Sequence, residues 1–142
     1  MEINFRNLNI LDYEQFILLI NQFRPPCKLT FEQFHDILND SRCGDVYVVE
    51  SNDKIIATGS ICWKRGFIHD GKLVAILEDI IVDESHRGKG VGRFLIQHLI
   101  EIAWKDDMCY KIVLNCCEIH EPMYEKFGFK RANYQMEMRK WK

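Results

Sequence analysis

No apolar run in this 142-residue chain approaches the roughly 18 residues that a membrane-spanning helix needs, so no segment is expected to cross a bilayer. A signal-peptide core is missing too: Met1 to Arg6 alternates as a strand does, and a cytoplasmic protein is expected. Large net charge is absent, at −2, so no global field favours nucleic acid or an acidic membrane as partner. Any phosphate binding must come from local basic groups. Repeats, linkers and low-complexity tracts are also lacking, and the length suits a single domain over residues 1–142. The six cysteines contain no Cys-x-x-Cys, and without a secretory signal they are expected to be reduced. Cys116, Cys117 and His120, with Cys109 nearby, invite a zinc reading. Adjacent cysteines on a strand point to opposite faces, however, which suits one tetrahedral site poorly; small buried thiols and no metal are expected.

What is present is an ordinary globular composition, 47% hydrophobic and 28% charged, patterned as strands and helices. Residues 2–9 read as an edge strand and Leu11 to Phe23 as a helix, with Phe16, Leu19, Ile20 and Phe23 on one face, stopped by Arg24-Pro25-Pro26. Thr30-Phe31-Glu32-Gln33 is a capping box opening a second helix, closed near Gly44. Asp45 to Ser51 and Ile55 to Trp63 are strands joined by an Asn52-Asp53 turn, and Lys64 to Gly71 is a polar loop. Lys72 to Asp83 is a long central strand, Val91 to Trp104 an amphipathic helix, Tyr110 to Cys116 a strand, Pro122 to Phe127 a short helix, and Ala132 to Trp141 a last strand. Together they predict an α/β (α+β) domain: a mixed, mostly antiparallel sheet of about six or seven strands flanked by helices.

One stretch carries chemistry on its face. Leu77 to Gly92 is an apolar strand, a turn and a glycine-rich segment leading straight into a helix. Gly88, Gly90 and Gly92 leave the backbone uncovered, so several N–H groups can converge on one anion, and the helix adds its unpaired N–H groups and positive dipole end. Arg87, Lys89 and Arg93 supply charge, and the stretch reads as a pyrophosphate cradle. No Ser or Thr follows to make a P-loop, and Arg93 stands where the dinucleotide fingerprint requires its third glycine.

The pattern that fits is Arg-x-x-Gly-x-Gly at Arg87, Gly90 and Gly92, and by it the chain resembles the GNAT N-acetyltransferase superfamily. It is most similar to the glucosamine-6-phosphate N-acetyltransferase branch. Phe67-Ile68-His69, Leu77 to Ile80, Arg87 to Arg93, Cys109 to Ile112, Tyr124 to Phe129 and Met136 to Arg139 carry that resemblance through the C-terminal half. The first sixty residues resemble the branch only in the order of elements.

The resemblance implies a GNAT fold and direct transfer of acetyl from acetyl-CoA to the amine of glucosamine 6-phosphate, feeding UDP-N-acetylglucosamine synthesis, with no metal. It implies a bulge at Asp79–Ile81 whose freed N–H groups polarise the thioester. Ile80, Ile81 and Val82 would hold acetyl and pantetheine, and Arg87, Gly88, Lys89, Gly90, Val91, Gly92 and Arg93 the pyrophosphate. His120, Tyr124, Glu125 and Lys126 would complete the cofactor site, the Tyr124 hydroxyl acting as acid to the departing thiolate. The acceptor would lie against Gly66, Phe67, Ile68, His69, Glu78, Asp79, Ile80, Tyr110, Lys111, Asn115 and Arg139, with Glu78, Asp79, Asn115 and Tyr124 catalytic. Arg139 would reach a neighbouring subunit's sugar phosphate, making a homodimer with shared sites.

Blander readings stay open beside these. Tyr124 could be a core tyrosine; Glu78 or Asp79 could pair with Lys72; Arg131, Arg139, Lys140 and Lys142 could be a solvated basic tail. Two positions depart from the family. Asn115 stands where a carboxylate is usual and cannot accept a proton, and His120 replaces an asparagine and could serve as base or merely cap a turn. Another amine acceptor, or a CoA-binding module without turnover, therefore remains an alternative.

Overall fold

The computed structural model describes residues 1–141, so Lys142 lies outside it. Five strands, β1 (Asn4–Asn7), β2 (Asp45–Ser51), β3 (Lys54–Arg65), β4 (Leu73–Val82) and β5 (Cys109–Leu114), form one sheet in the order in which the chain makes them. β1 through β4 pair antiparallel, and β4 pairs with β5 in parallel. A parallel neighbour needs a crossover, and α3 (Val91–Lys105) is that crossover. The other helices are α1 (Tyr13–Phe23), α2 (Phe31–Leu38) and the short α4 (Glu121–Glu125).

Period-two alternation sends successive side chains of β2 into two different cores. Tyr47 and Val49 pack with Val91, Leu95, Leu99 and Ala103 of α3, whereas Val48 packs with Leu19 of α1, Ile55 and Ile81. α3 buries positions 91, 95, 96, 99 and 103, a single helical face. Its fully buried Leu95 and Leu99 contribute about 2–3 kcal/mol each. α2 starts as its sequence predicts: the Gln33 N–H donates to Thr30 Oγ1 and the Thr30 N–H to Gln33 Oε1, a cap contributing about 1 kcal/mol.

The sheet is a mixed, mostly antiparallel one flanked by helices, as expected, but with five strands rather than six or seven. Residues 132–141 form no strand. Strands are held by partner hydrogen bonds, and this arm has no partner among the described residues: Tyr134, Met136 and Met138 are more than nine-tenths exposed. β5 is consequently left as an edge of the sheet.

Candidate active site

The end of β4 departs from regular sheet in two ways. Thr58 stands opposite Ile81 and Ser60 opposite Glu78, so two steps along β3 meet three along β4: a bulge. Asp79 takes up the extra residue with φ at +53°, a left-handed conformation costing a non-glycine residue about 1–2 kcal/mol. Pairing with β5 stops at Leu77–Leu114, so Glu78 to Val82 run on with no β5 partner. The two strands part there, and backbone N–H and C=O groups of β4 line the opening. Because the bulge breaks alternation, Glu78 and Asp79 are both exposed, not on opposite faces, with Ile80 half-buried beside them. Neither carboxylate makes a salt bridge among the described residues, to Lys72 or otherwise.

Next along the chain stands the glycine segment. Gly88 and Gly90 have φ of +74° and +84°, and a Cβ on either would project into open space. Gly90 is the N-cap of α3, which has neither a side-chain cap nor an acidic residue in its first turn. Its leading N–H groups therefore have no side-chain acceptor among the described residues, and the space beside Gly88 and Gly90 is open, which suits an anion. Lys89 and Arg93 are exposed beside it, and Arg87 Nε donates to the Val82 carbonyl at 3.1 Å.

The device that holds this turn escaped the sequence analysis. Asp83, only 4% exposed, accepts hydrogen bonds on its carboxylate from Gln22 Nε2 at 2.6 Å, from the Ser85 hydroxyl and from His86 Nδ1 at 2.7 Å. Burial alone would raise its pKa, but these donors, with the charge of Lys54, hold it well below the usual carboxylate range. Gln22 also accepts the Glu84 N–H at 2.8 Å. The Asp-x-Ser-His run was a local signal; the partnership with Gln22 had none.

Asn115 follows the last residue of β5 and is exposed, as is His120. Tyr124, on α4, is buried, with Phe129 edge-on to its ring at 6.0 Å. Burial pushes its phenol pKa up, aided by Cys116 and Cys117. Glu125 and Lys126, the remaining residues expected of the cofactor site, are exposed beside it. The expectation of small buried thiols is corrected here. β5 ends at Leu114, so Cys116 and Cys117 lie in a loop and are exposed, with Cys117 Sγ 3.2 Å from His120 Nδ1. Among the described residues no cluster of three or more His, Cys, Asp or Glu is arranged to hold a metal.

A second group of acceptor-site candidates does not join the first. The His69 ring lies 4.5 Å from that of Tyr110, with Lys111 Nζ 5.6 Å from the Tyr110 ring centroid. Phe67 and Ile68 stand exposed on the same loop, which Gly66 enters. Lys111 pairs with Val74, near the start of β4, so five residues of β5 direction separate Tyr110 from Asn115, about 16 Å at strand rise. Arg139 sits in the exposed arm, its Nε donating to Glu137 at 2.8 Å. Within one chain, then, Gly66 to His69, Tyr110 and Lys111 are not brought to the bulge.

Comparison with known proteins agrees with this architecture. Residues 8–129 match the Acetyltransferase (GNAT) family. The chain is 34% identical to glucosamine 6-phosphate N-acetyltransferase 1 of Dictyostelium discoideum, over 96% of this chain and 90% of that one. It is 32% identical to the probable glucosamine 6-phosphate N-acetyltransferase 2 of Oryza sativa subsp. japonica, over 94% and 86%. The crystal structure of glucosamine-6-phosphate N-acetyltransferase from Arabidopsis thaliana superposes with a TM-score of 0.87 at 28% identity, covering 99% of each chain. A parted strand pair beside an uncapped helix start, in a chain matched by that family over most of its length, has one conclusion: this protein is a member of the GNAT acetyltransferase family.

Proposed function

We propose that the protein transfers acetyl from acetyl-CoA to the amine of D-glucosamine 6-phosphate, giving N-acetyl-D-glucosamine 6-phosphate and CoA. The observation that carries this reading is the opening between β4 and β5, with the bulge at Asp79 on one wall and the bare start of α3 next to it. The acceptor is inferred from relatives that are glucosamine 6-phosphate N-acetyltransferases at about 30% identity.

Acetyl-CoA supplies an activated thioester. Along Glu78 to Val82 the edge of β4 turned away from β3 has no β5 partner, and its N–H groups are offered to the thioester carbonyl oxygen and pantetheine amides, while the start of α3 with Arg87, Lys89 and Arg93 receives the pyrophosphate. The neutral amine attacks the carbonyl carbon; a C–N bond forms and the C–S bond breaks. Tyr124, a phenol kept protonated by burial, gives its proton to the leaving thiolate, a base of comparable strength. Glu78 and Asp79 orient the amine and hydroxyls of the sugar, and Asn115 orients the amine without taking the proton it loses once the C–N bond has formed. The imidazole of His120, in the segment between β5 and α4, serves as the acceptor of that proton.

The exposed apolar arm and the free β5 edge support a homodimer in which each arm covers its partner's edge. In such a dimer Arg139 and the Tyr110–Lys111 group would serve the partner's site.

Release of CoA thiol from acetyl-CoA, assayed against amino-sugar phosphates, free amino sugars, polyamines and peptides, tests the reading. Turnover with glucosamine 6-phosphate alone supports it; preference for an unphosphorylated amine overturns the acceptor. Tyr124→Phe should lower kcat by roughly tenfold to a thousandfold with unchanged acetyl-CoA affinity. Equal turnover would return Tyr124 to a packing role.

A further inference from the structure

Gln22 lies one residue from the end of α1, in a cleft it lines with Gln15, Leu18, Leu19, Asp53, Lys54, Ile55 and Asp83. Its side-chain amide uses both ends on consecutive residues of the turn that follows β4. The NH2 donates to Asp83 Oδ1 at 2.6 Å and the carbonyl oxygen accepts the Glu84 N–H at 2.8 Å. Asp83 is tied in turn to its own turn through Ser85 and His86, and its N–H donates to the Ile56 carbonyl at 2.8 Å. The next bonded residue, Arg87, holds the Val82 carbonyl and leads directly into Gly88 and Gly90. Gly88 and Gly90 have open space beside them; α3 holds the segment from one end, through the Phe94 N–H on the Gly90 carbonyl and buried Val91, and this anchored turn holds it from the other.

We propose that Gln22 is a positioning residue for the cofactor: by clamping Asp83 and Glu84 it sets the aim of the N–H groups at Gly88 to Gly92 towards the pyrophosphate. The inference rests on the reading of that segment as the acetyl-CoA cradle. An amide is suited to the task because it offers a donor to the carboxylate and an acceptor to the N–H at once. No aliphatic residue can do either, and a carboxylate can do only one. Because the cleft is open, water can replace a lost amide at Asp83, so the effect expected is moderate. What water cannot restore is the fixed spacing between α1 and the turn. Gln22 also stands in the last turn of α1, so the clamp ties the cofactor turn to that helix.

Two variants test this, each read by acetyl-CoA titration calorimetry, steady-state kinetics and thermal melting on the full chain. Gln22→Leu should raise the acetyl-CoA Kd and KM about tenfold while kcat with saturating cosubstrate stays within twofold. Gln22→Glu sets a second carboxyl against Asp83, where His86, Lys54 and Asp53 are the other charged or titratable groups facing the cleft. At pH 8 two carboxylates repel and the affinity should fall about tenfold relative to wild type. Near pH 5 a proton shared between them restores a donor, and the ratio to wild type at the same pH should return towards one. Taking that ratio removes the titration of the CoA phosphates, which both proteins meet alike. A lowered melting temperature with unchanged acetyl-CoA affinity in both variants would make Gln22 a structural clamp only and overturn the proposal. So would a loss in Gln22→Glu that is the same at every pH. Wild-type protein that binds no acetyl-CoA would instead defeat the reading of the cradle itself.

Discussion

The turn before α3 and the arm after α4 both carry exposed basic side chains, Arg87 and Lys89 on one and Arg131 and Arg139 on the other, yet the fold treats them differently. From Asp83 to Arg87 every residue is anchored: a buried carboxylate with three donors, an amide from α1, an arginine on the Val82 carbonyl. The arm has Arg131 paired to Glu121 at 2.7 Å at its root and Arg139 paired to Glu137 near its end, with its large apolar side chains in solvent between. A site that binds through backbone N–H groups must be held by its own chain, because those groups have no rotamers with which to adapt. A site that binds through one long side chain can be delivered by a segment whose position another surface decides.

The sharpest way to break this comparison is Gly90→Asp. It forces a side chain on a residue at φ +84° and sets a negative charge where an anion is to bind. Acetyl-CoA affinity by calorimetry should fall on the order of a hundredfold or more, in a protein whose circular dichroism is unchanged. Affinity held within twofold would remove the cradle assignment. On the arm, Arg139→Ala should raise KM for a phosphorylated acceptor by roughly tenfold to a hundredfold, the range of a lost charge-assisted pair, and leave acetyl-CoA binding alone. Mixed with Tyr124→Phe after denaturation and refolding together, it should recover part of the activity, because a heterodimer contains one intact composite site. Monomers in sedimentation, or mixtures no better than either variant, would sink the shared site.

The smallest effect concerns stability. Asp83 has a folded pKa below its unfolded value of about 3.9, so its contribution is present above that pH and is lost as pH falls below about 4. Thermal melts of wild type should therefore lose stability on acidification from pH 5 to 2, and Asp83→Asn should show less of that slope from a starting point about 5 °C lower at pH 7. Parallel curves would mean that the buried network does not couple the turn to the fold.

Contiguous features were legible because their determinants lie within a few residues of one another. The Thr30–Gln33 cap, the buried face of α3 and the passage from β4 through glycines into a helix all follow from near-neighbour chemistry. The bulge was expected only through resemblance, since strand periodicity puts Glu78 and Asp79 on opposite faces and no local rule announces Asp79 in a left-handed conformation. The strand expected over 132–141 failed for the complementary reason. Its alternation is real, with Met136 and Met138 on one parity, but alternation specifies a strand only where another strand offers hydrogen bonds.

By itself the sequence determined the order of elements, the anion-binding glycines and the family resemblance, all encoded over spans short enough for backbone preference and side-chain period to act alone. Tertiary structure decided the rest: that β4 parts from β5 after Leu77, that Gln22 meets Asp83 from 61 residues away, and that Lys111 stands opposite Val74, far from the bulge. Those outcomes depend on which surfaces pack together, and packing brings together residues whose separation along the chain carries no trace of the meeting.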